Sequence, residues 1–172
     1  MREGDGCLEN NSAEYKKEII EKYFNMIYHL AASQVKNRTH ADDIVQDVFL
    51  KYIQNQKSFE SEEHIKAWLI RVTINCSKSL FTSSWFKKTT PLEDDEFVFD
   101  MEEKSDVFYA VSELPLKYKS VIHLFYYEDM SIAEISAALK IKEATIKSQL
   151  SRGRELLRNK LKGGVNGVFK DL

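Results

Sequence analysis

Long apolar runs are missing from this 172-residue chain. No stretch approaches the roughly 18 consecutive apolar residues that cross a bilayer. The N-terminus, MREGDGCLENNSAEYKKE, is polar throughout, which is unlike a secretory leader. The expectation is a cytoplasmic protein with no membrane insertion. Cysteine is scarce: Cys7 and Cys76 alone make neither a disulfide framework nor a metal cluster. Cys76 lies in an apolar helical stretch, where a cysteine serves as a small core residue. Two prolines and six glycines are too few for a turn-rich β architecture, and with the periodicity described below they point to an all-α protein. The four histidines (His29, His40, His64, His123) show no metal-ligand spacing. There is no phosphate-binding glycine loop, no G-x-S-x-G and no clustered carboxylate pair. No catalytic residue, metal or cofactor is expected, and the chain does not read as an enzyme.

What is present is a hydrophobic fraction of 43% with 30% charged residues, an ordinary composition for a globular core. The net charge of −2 conceals a strong asymmetry. Glu93, Asp94, Asp95, Glu96, Asp100, Glu102, Glu103 and Asp106 are opposed only by Lys104. Further on, Lys140, Lys142, Lys147, Arg152, Arg154, Arg158, Lys160 and Lys162 are opposed by Glu143 and Glu155. An acidic middle followed by a basic segment matters more for partner choice than the sum.

The apolar residues recur at helical spacing. A first helix from Tyr15 to Val35 carries Ile19, Ile20, Tyr23, Phe24, Ile27, Leu30 and Ala31. After a turn at Asn37–His40, a second from about Ala41 to Gln56 points Ile44, Val45, Val48, Phe49, Tyr52 and Ile53 inward. A polar loop, Gln56 to His64, leads to a third helix from near Glu63 to Phe81 with Ile65, Trp68, Leu69, Val72 and Cys76 inside. The stretch 89–105 has Pro91, the acidic run and no period, and reads as a flexible linker; Phe97, Val98 and Phe99 within it read as local packing. A short helix (Val107–Glu113) stops before Leu114-Pro115, and another runs through Tyr118, Val121, Ile122, Leu124 and Phe125. The expected domains are a tail (1–13), a first helical domain (14–88), the linker (89–105), a second helical domain (106–163) and a C-terminal tail (164–172).

The second domain carries the sharpest signal. Ser131 and Glu134 form S-x-x-E ahead of an apolar run, a capping box. A helix from Ile132 to Leu139 buries Ile132, Ile135 and Leu139; Lys140-Ile141-Lys142 makes a turn, with Ile141 filling the angle. A helix from Glu143 to about Leu161 buries Ile146, Leu150, Leu157 and Leu161. This is the outline of a helix-turn-helix. The outer face of the last helix holds Lys147, Ser148, Gln149, Ser151, Arg152 and Arg154, cations for phosphates and guanines and small polar groups for base edges. In the first domain, Asp43, Gln46, Asp47 and Leu50 share the face opposite the apolar stripe. Periodicity does not separate a docking face from a solvated one with a stray leucine. On and after the third helix, Arg71, Asn75 and Lys78, then Trp85, Phe86, Lys87 and Lys88, interleave cations with aromatics, which suits a single strand of nucleic acid.

Three segments then resemble a known family. DDIVQDVFLKYI, HIKAWLIRVTINCSKSL and SELPLKYKSVIHLFYYEDMSIAEISAALKIKEATIKSQLSRGRELL are similar, in that order, to bacterial sigma-70 factors of the extracytoplasmic-function type. The resemblance implies two helical domains, region 2 and region 4, joined by a flexible linker. It implies core RNA polymerase and promoter DNA as partners. Asp43, Gln46, Asp47 and Leu50 would meet the clamp helices of the largest polymerase subunit, and the second domain would sit on a flap of another subunit. The loop Gln56–His64 with Arg71 and Asn75 would hold the melted −10 strand, and the helix bearing Lys147, Ser148, Ser151, Arg152 and Arg154 would read the −35 element. The family often has an anti-sigma protein that docks in an apolar groove between the domains. Lys140 stands where a turn glycine is common, Lys142 where a capping Ser or Pro is usual, Gln149 at a frequent arginine and Ser79 at a frequent acid. Two other readings compete: a helix-turn-helix regulator that acts without polymerase, and a recombinase, for which the scattered Arg2, Arg38 and Arg71 argue badly.

Overall fold

The computed structural model describes residues 12–35, 37–82 and 106–162, and among these it is helical with no strand. Helix α1 (Ala13–Gln34) begins at Ser12, whose hydroxyl accepts from the Tyr15 N–H at 3.1 Å. Helix α2 is Arg38–Gln54. It starts three residues before the Ala41 expected from the apolar pattern, because the Asn37 side chain caps it by accepting from the His40 N–H at 3.2 Å. Helix α3 (Glu62–Thr82) starts after Ser61, whose hydroxyl accepts from the His64 N–H. Helix α4 (Asp106–Ser112) ends ahead of Pro115, and α5 (Leu116–Tyr126), α6 (Ile132–Leu139) and α7 (Glu143–Lys162) complete the chain. Residues 1–11, the linker with Phe97, Val98 and Phe99, and the C-terminal tail lie outside the described residues, while Ser12 and Ala13, expected in the tail, cap and open α1.

Helices α1, α2 and α3 pack around Ile19, Ile27, Ala31, Val48, Tyr52, Ile65 and Leu69. Tyr52 has its phenol pushed up to about 12 by burial. Cys76 is buried here as expected, with the Lys51 ammonium 3.1 Å from its sulfur. Two residues of the expected inward stripes are not covered. Phe24 is 44% exposed and Ile53 48%. Phe24 stacks on Tyr28 and Phe49 at the rim of the core, where it remains partly open to solvent. Beside Ile53, α1 presents Lys16, whose ammonium donates to the Ile53 carbonyl at 2.8 Å, rather than an apolar side chain.

Helices α4 to α7 enclose Val111, Leu114, Val121, Leu124, Ile135, Ile146 and Leu150. This second core is not closed by its own helices. Leu30 of α1 and Ile70 and Ile74 of α3 are buried within it, as α1 lies on α5 and α3 on α6. Polar pairs cross the same seam. Ser120 donates to the Gln34 side-chain oxygen at 2.8 Å, and the Lys119 ammonium to the Gln34 carbonyl at 3.4 Å. The two helical units therefore share one continuous apolar seam with its polar groups paired, a relation that the sequence pattern did not specify. Truncating Leu30, which is fully enclosed, removes apolar area and leaves a cavity. Leu30→Ala is expected to lower the unfolding free energy by about 2–5 kcal/mol in urea denaturation.

Candidate nucleic-acid interface

The capping box on α6 is formed in full. Glu134 N–H donates to the Ser131 hydroxyl at 3.2 Å, and Ser131 N–H donates to the Glu134 carboxylate at 2.8 Å. The Ser131 hydroxyl also donates to the Glu134 carboxylate at 2.6 Å, and this bond together with that from the Ser131 N–H holds the carboxyl below its ordinary range. At the other end, Lys140 adopts φ 56 and ψ 43, the left-handed conformation in which glycine is usual. The chain then reverses with the Ser136 hydroxyl donating to the Ile141 carbonyl at 2.6 Å. The Lys142 carbonyl accepts from the N–H groups of Thr145 and Ile146, which starts α7.

Helix α7 seats Ile146, Leu150, Gly153 and Leu157 against the core. Ile132, Leu139 and Leu161, expected as buried, are only half-buried at its edges; Ala138 and Gly153 take the deep positions instead. The reason is close approach. A Cβ on Gly153 would lie 3.0 Å from Ile122 Cγ1 and 3.6 Å from Tyr118 Cβ, so α5 and α7 touch nearly backbone to side chain. This contact leaves Lys147, Ser148, Ser151 and Arg152 exposed along one side of a 20-residue helix, with Gln149 and Arg154 half-buried on its flanks. Arg152 pairs with Glu155 one turn on. Arg154 donates from Nε to the Tyr126 hydroxyl at 2.7 Å.

On the other unit, Asp43, Gln46, Asp47 and Leu50 are all exposed on α2, with Leu50 at 46%. An uncovered leucine among two carboxylates and an amide lies on the same helix as the exposed Ile53. On α3, Asn75 and Lys78 are exposed. Arg71 is not: it is half-buried in the seam, with Nη1 donating to the Ala138 carbonyl of α6 at 3.0 Å. Trp85, Lys87 and Lys88 lie outside the described residues. The loop before α3 is organised by Phe59, which packs on Tyr52 and Trp68 at centroid distances of 6.0 and 5.7 Å, with the His64 ring against it at 5.5 Å. Trp68, expected as a core aromatic, is half-buried and packs against the edge of this core. Glu62 opens α3 by accepting from the Tyr23 hydroxyl at 2.6 Å and from the Lys22 ammonium, and these two donors hold its carboxyl below the usual range. Among the described residues no group of His, Cys, Asp and Glu could hold a metal ion, and no helix is long and apolar enough to cross a membrane.

The seam partners were missed by pattern reading. Gln34 extends the stripe Ile27, Leu30, Ala31, so a polar residue at an inward position was the available signal. For Tyr126 and Phe125 as neighbours of Arg154, only tertiary packing gives the relation.

Comparison with known proteins gives two family models in the order of the two units. Sigma-70 region 2 matches residues 19–86, and Sigma-70, region 4 matches residues 106–157. RNA polymerase sigma factor SigV of Bacillus subtilis is 30% identical over 140 residues, 78% of this chain and 83% of the relative. ECF RNA polymerase sigma factor SigW of the same organism is 28% identical over 165 residues, 84% of this chain and 88% of the relative. Among solved structures, the sigma factor RpoE in complex with the anti-sigma factor NepR from Bartonella quintana superposes with a TM-score of 0.66 at 25% identity, covering 90% of this chain and 100% of that one. CnrH in complex with the cytosolic domain of CnrY shares the fold, with a TM-score of 0.69 at 21% identity over 90% of this chain and 92% of that one.

The left-handed Lys140 yields a local prediction. A non-glycine residue there carries roughly 1 kcal/mol of strain, so Lys140→Gly is expected to raise the unfolding free energy by up to about 1 kcal/mol. A shift of the denaturation midpoint to lower urea would contradict it.

Proposed function

Because the chain belongs to the sigma-70 family of RNA polymerase sigma factors, in the extracytoplasmic-function group, we propose a division of labour among its surfaces. The α2 strip of Asp43, Gln46, Asp47 and Leu50 docks on the clamp helices of core RNA polymerase. Carboxylates around an exposed leucine suit a partner groove that is basic at its rim and apolar at its centre. The α4–α7 unit docks on a flap of the enzyme and inserts α7 into the −35 major groove. Lys147 and Arg152 reach phosphates and guanines there, and Ser148, Gln149 and Ser151 face base edges. Asn75, Lys78 and Arg71, followed by Trp85, Lys87 and Lys88, hold the melted −10 strand. Unstacking a base costs a few kcal/mol, which stacking on the protein offsets. The chain supplies recognition and strand capture and performs no covalent step. It acts in the cytoplasm, where polymerase and chromosome are, with residues 14–88 and 106–163 as its working domains and 89–105 as the connection. An anti-sigma protein, as in the solved complex of RpoE with NepR, is a further partner.

One juxtaposition carries this reading: an uncovered leucine ringed by acids on α2 and a capped helix-turn-helix with a basic face stand in one short chain. A regulator working without polymerase has no use for the α2 strip. The reading also requires a change of shape. Elements named for positions 10 and 35 lie about 85 Å apart at 3.4 Å per base pair. In the free chain Arg71 touches Ala138 at 3.0 Å, and α7 is about 30 Å long. Both elements are in reach only after the seam opens.

Three outcomes are expected in transcription reconstituted from core polymerase and this chain, on a promoter selected by run-off mapping. Arg152→Ala weakens −35 binding by about 1–3 kcal/mol. Asn75→Ala slows open-complex formation and leaves duplex binding intact. Energy transfer between dyes on α1 and α7 falls when polymerase and promoter are added. Unchanged transcription from both variants, or unchanged transfer in an active complex, would contradict the corresponding part.

A further inference from the structure

Among the cations on the outer side of α7, Arg154 has a seat built by another helix. Its Nε donates to the Tyr126 hydroxyl at 2.7 Å. Its guanidinium carbon lies 5.5 Å from the centre of the Phe125 ring and 5.6 Å from that of Tyr126. The two rings meet edge to face at 5.0 Å and 77°, so they form a corner that holds the cation. Tyr126 is the last residue of α5 and is 38% exposed, so the corner opens to solvent beside the helix-turn-helix.

The chemistry of the fork gives this seat a direction. A guanidinium has five N–H donors in one plane. Tyr126 takes the Nε–H, which lies on the side of the fork nearest the stem, and the two Nη groups at the far end are the pair that grips a phosphate with parallel bonds. Stacking on aromatic faces also fixes the plane of the fork. The rotamer freedom that a loose arginine loses on docking is thus already lost in the free protein. Position matters too. A recognition helix brings its N-terminal residues to base edges. Arg154 lies about 10 Å further along the axis than Lys147, on the same flank, and leans sideways to α5.

We propose that Tyr126, supported by Phe125, is a positioning residue that presents the Arg154 fork to a backbone phosphate at the edge of the major groove. Arg154 then sets the register of α7 on the duplex and does not read a base, and the reading of sequence is left to the exposed stripe of Ser148, Ser151 and Arg152. This rests on the insertion of α7 into the groove, as proposed above.

The test uses the full chain and a labelled 30-base-pair duplex of arbitrary sequence, because a phosphate contact is independent of sequence. Binding is followed by anisotropy from low to moderate salt. Arg154→Ala is expected to reduce the slope of log K against log salt by about one. Tyr126→Phe keeps ring and charge, so it is expected to preserve that slope while weakening binding about three- to tenfold, the worth of one hydrogen bond. In the Arg154→Ala background Tyr126→Phe should have no further effect, whereas in the Lys147→Ala background its full effect should remain. Equal effects in both backgrounds, or wild-type affinity for Tyr126→Phe with a reduced slope for Arg154→Ala, would overturn the positioning role and leave groove insertion standing. Loss of no affinity in Lys147→Ala, Arg152→Ala and Arg154→Ala alike would overturn groove insertion itself. Equal melting temperatures of the variants exclude misfolding as the cause.

Discussion

The structure turns on the seam between α1–α3 and α4–α7. Leu30, Ile70 and Ile74 belong to the core of the second unit and are buried against α5 and α6. Apolar burial drives the contact, and the polar groups in it are all compatible with water. Gln34, Ser120, Lys119 and Arg71 satisfy one another or backbone carbonyls when the seam is closed and would hydrogen-bond to solvent when it is open. An interface of this mixed kind resembles those between domains that move. It also places Arg71, a candidate for the −10 strand, against the helix that precedes α7, the proposed −35 reader. The two units are thereby tied together in the free chain.

Each unit is rigid where its surface has to be accurate. In the helix-turn-helix, the angle of α7 is set by three local devices: the reciprocal bonds of Ser131 and Glu134, the left-handed turn at Lys140 and the close approach at Gly153. The lysine in the left-handed turn carries some strain. In the first unit, Phe59 wedges the loop before α3 against Tyr52 and Trp68, and Glu62 ties that loop to α1 through Tyr23 and Lys22. Burial, with the bond to Glu62, raises the Tyr23 phenol well above its ordinary value, so it remains a neutral donor. The loop is thus held by side chains that leave the exposed faces of α2 and α3 free for partners.

Much of this was legible in the residues. The capping box, the stripe of α7 and the exposure of Leu50 follow from spacing alone, since helical period fixes which residues share a face. Helix α2 starts earlier than the apolar pattern places it, because Asn37 is a cap as well as a turn residue. Phe24 and Ile53 fall on the inward stripe yet are exposed, since periodicity reports a face and not what covers it. The seam itself had only one trace, the polar Gln34 continuing an apolar stripe. Which helix answers it is decided by packing between segments 86 residues apart, as in Ser120 on Gln34, and no local pattern carries that. Trp85, Lys87 and Lys88 lie outside the described residues, so their part in strand capture rests on sequence alone.

The central claim is that this chain works as a detachable part of core RNA polymerase. The most direct measurement is equilibrium binding of the labelled chain to purified core enzyme, with Leu50→Asp alongside as a folded control. The account predicts saturable one-to-one assembly that Leu50→Asp weakens at least about thirtyfold, as expected for an anchor residue. Failure of the correctly folded wild-type chain to join the core enzyme would contradict it, whatever its affinity for duplex DNA.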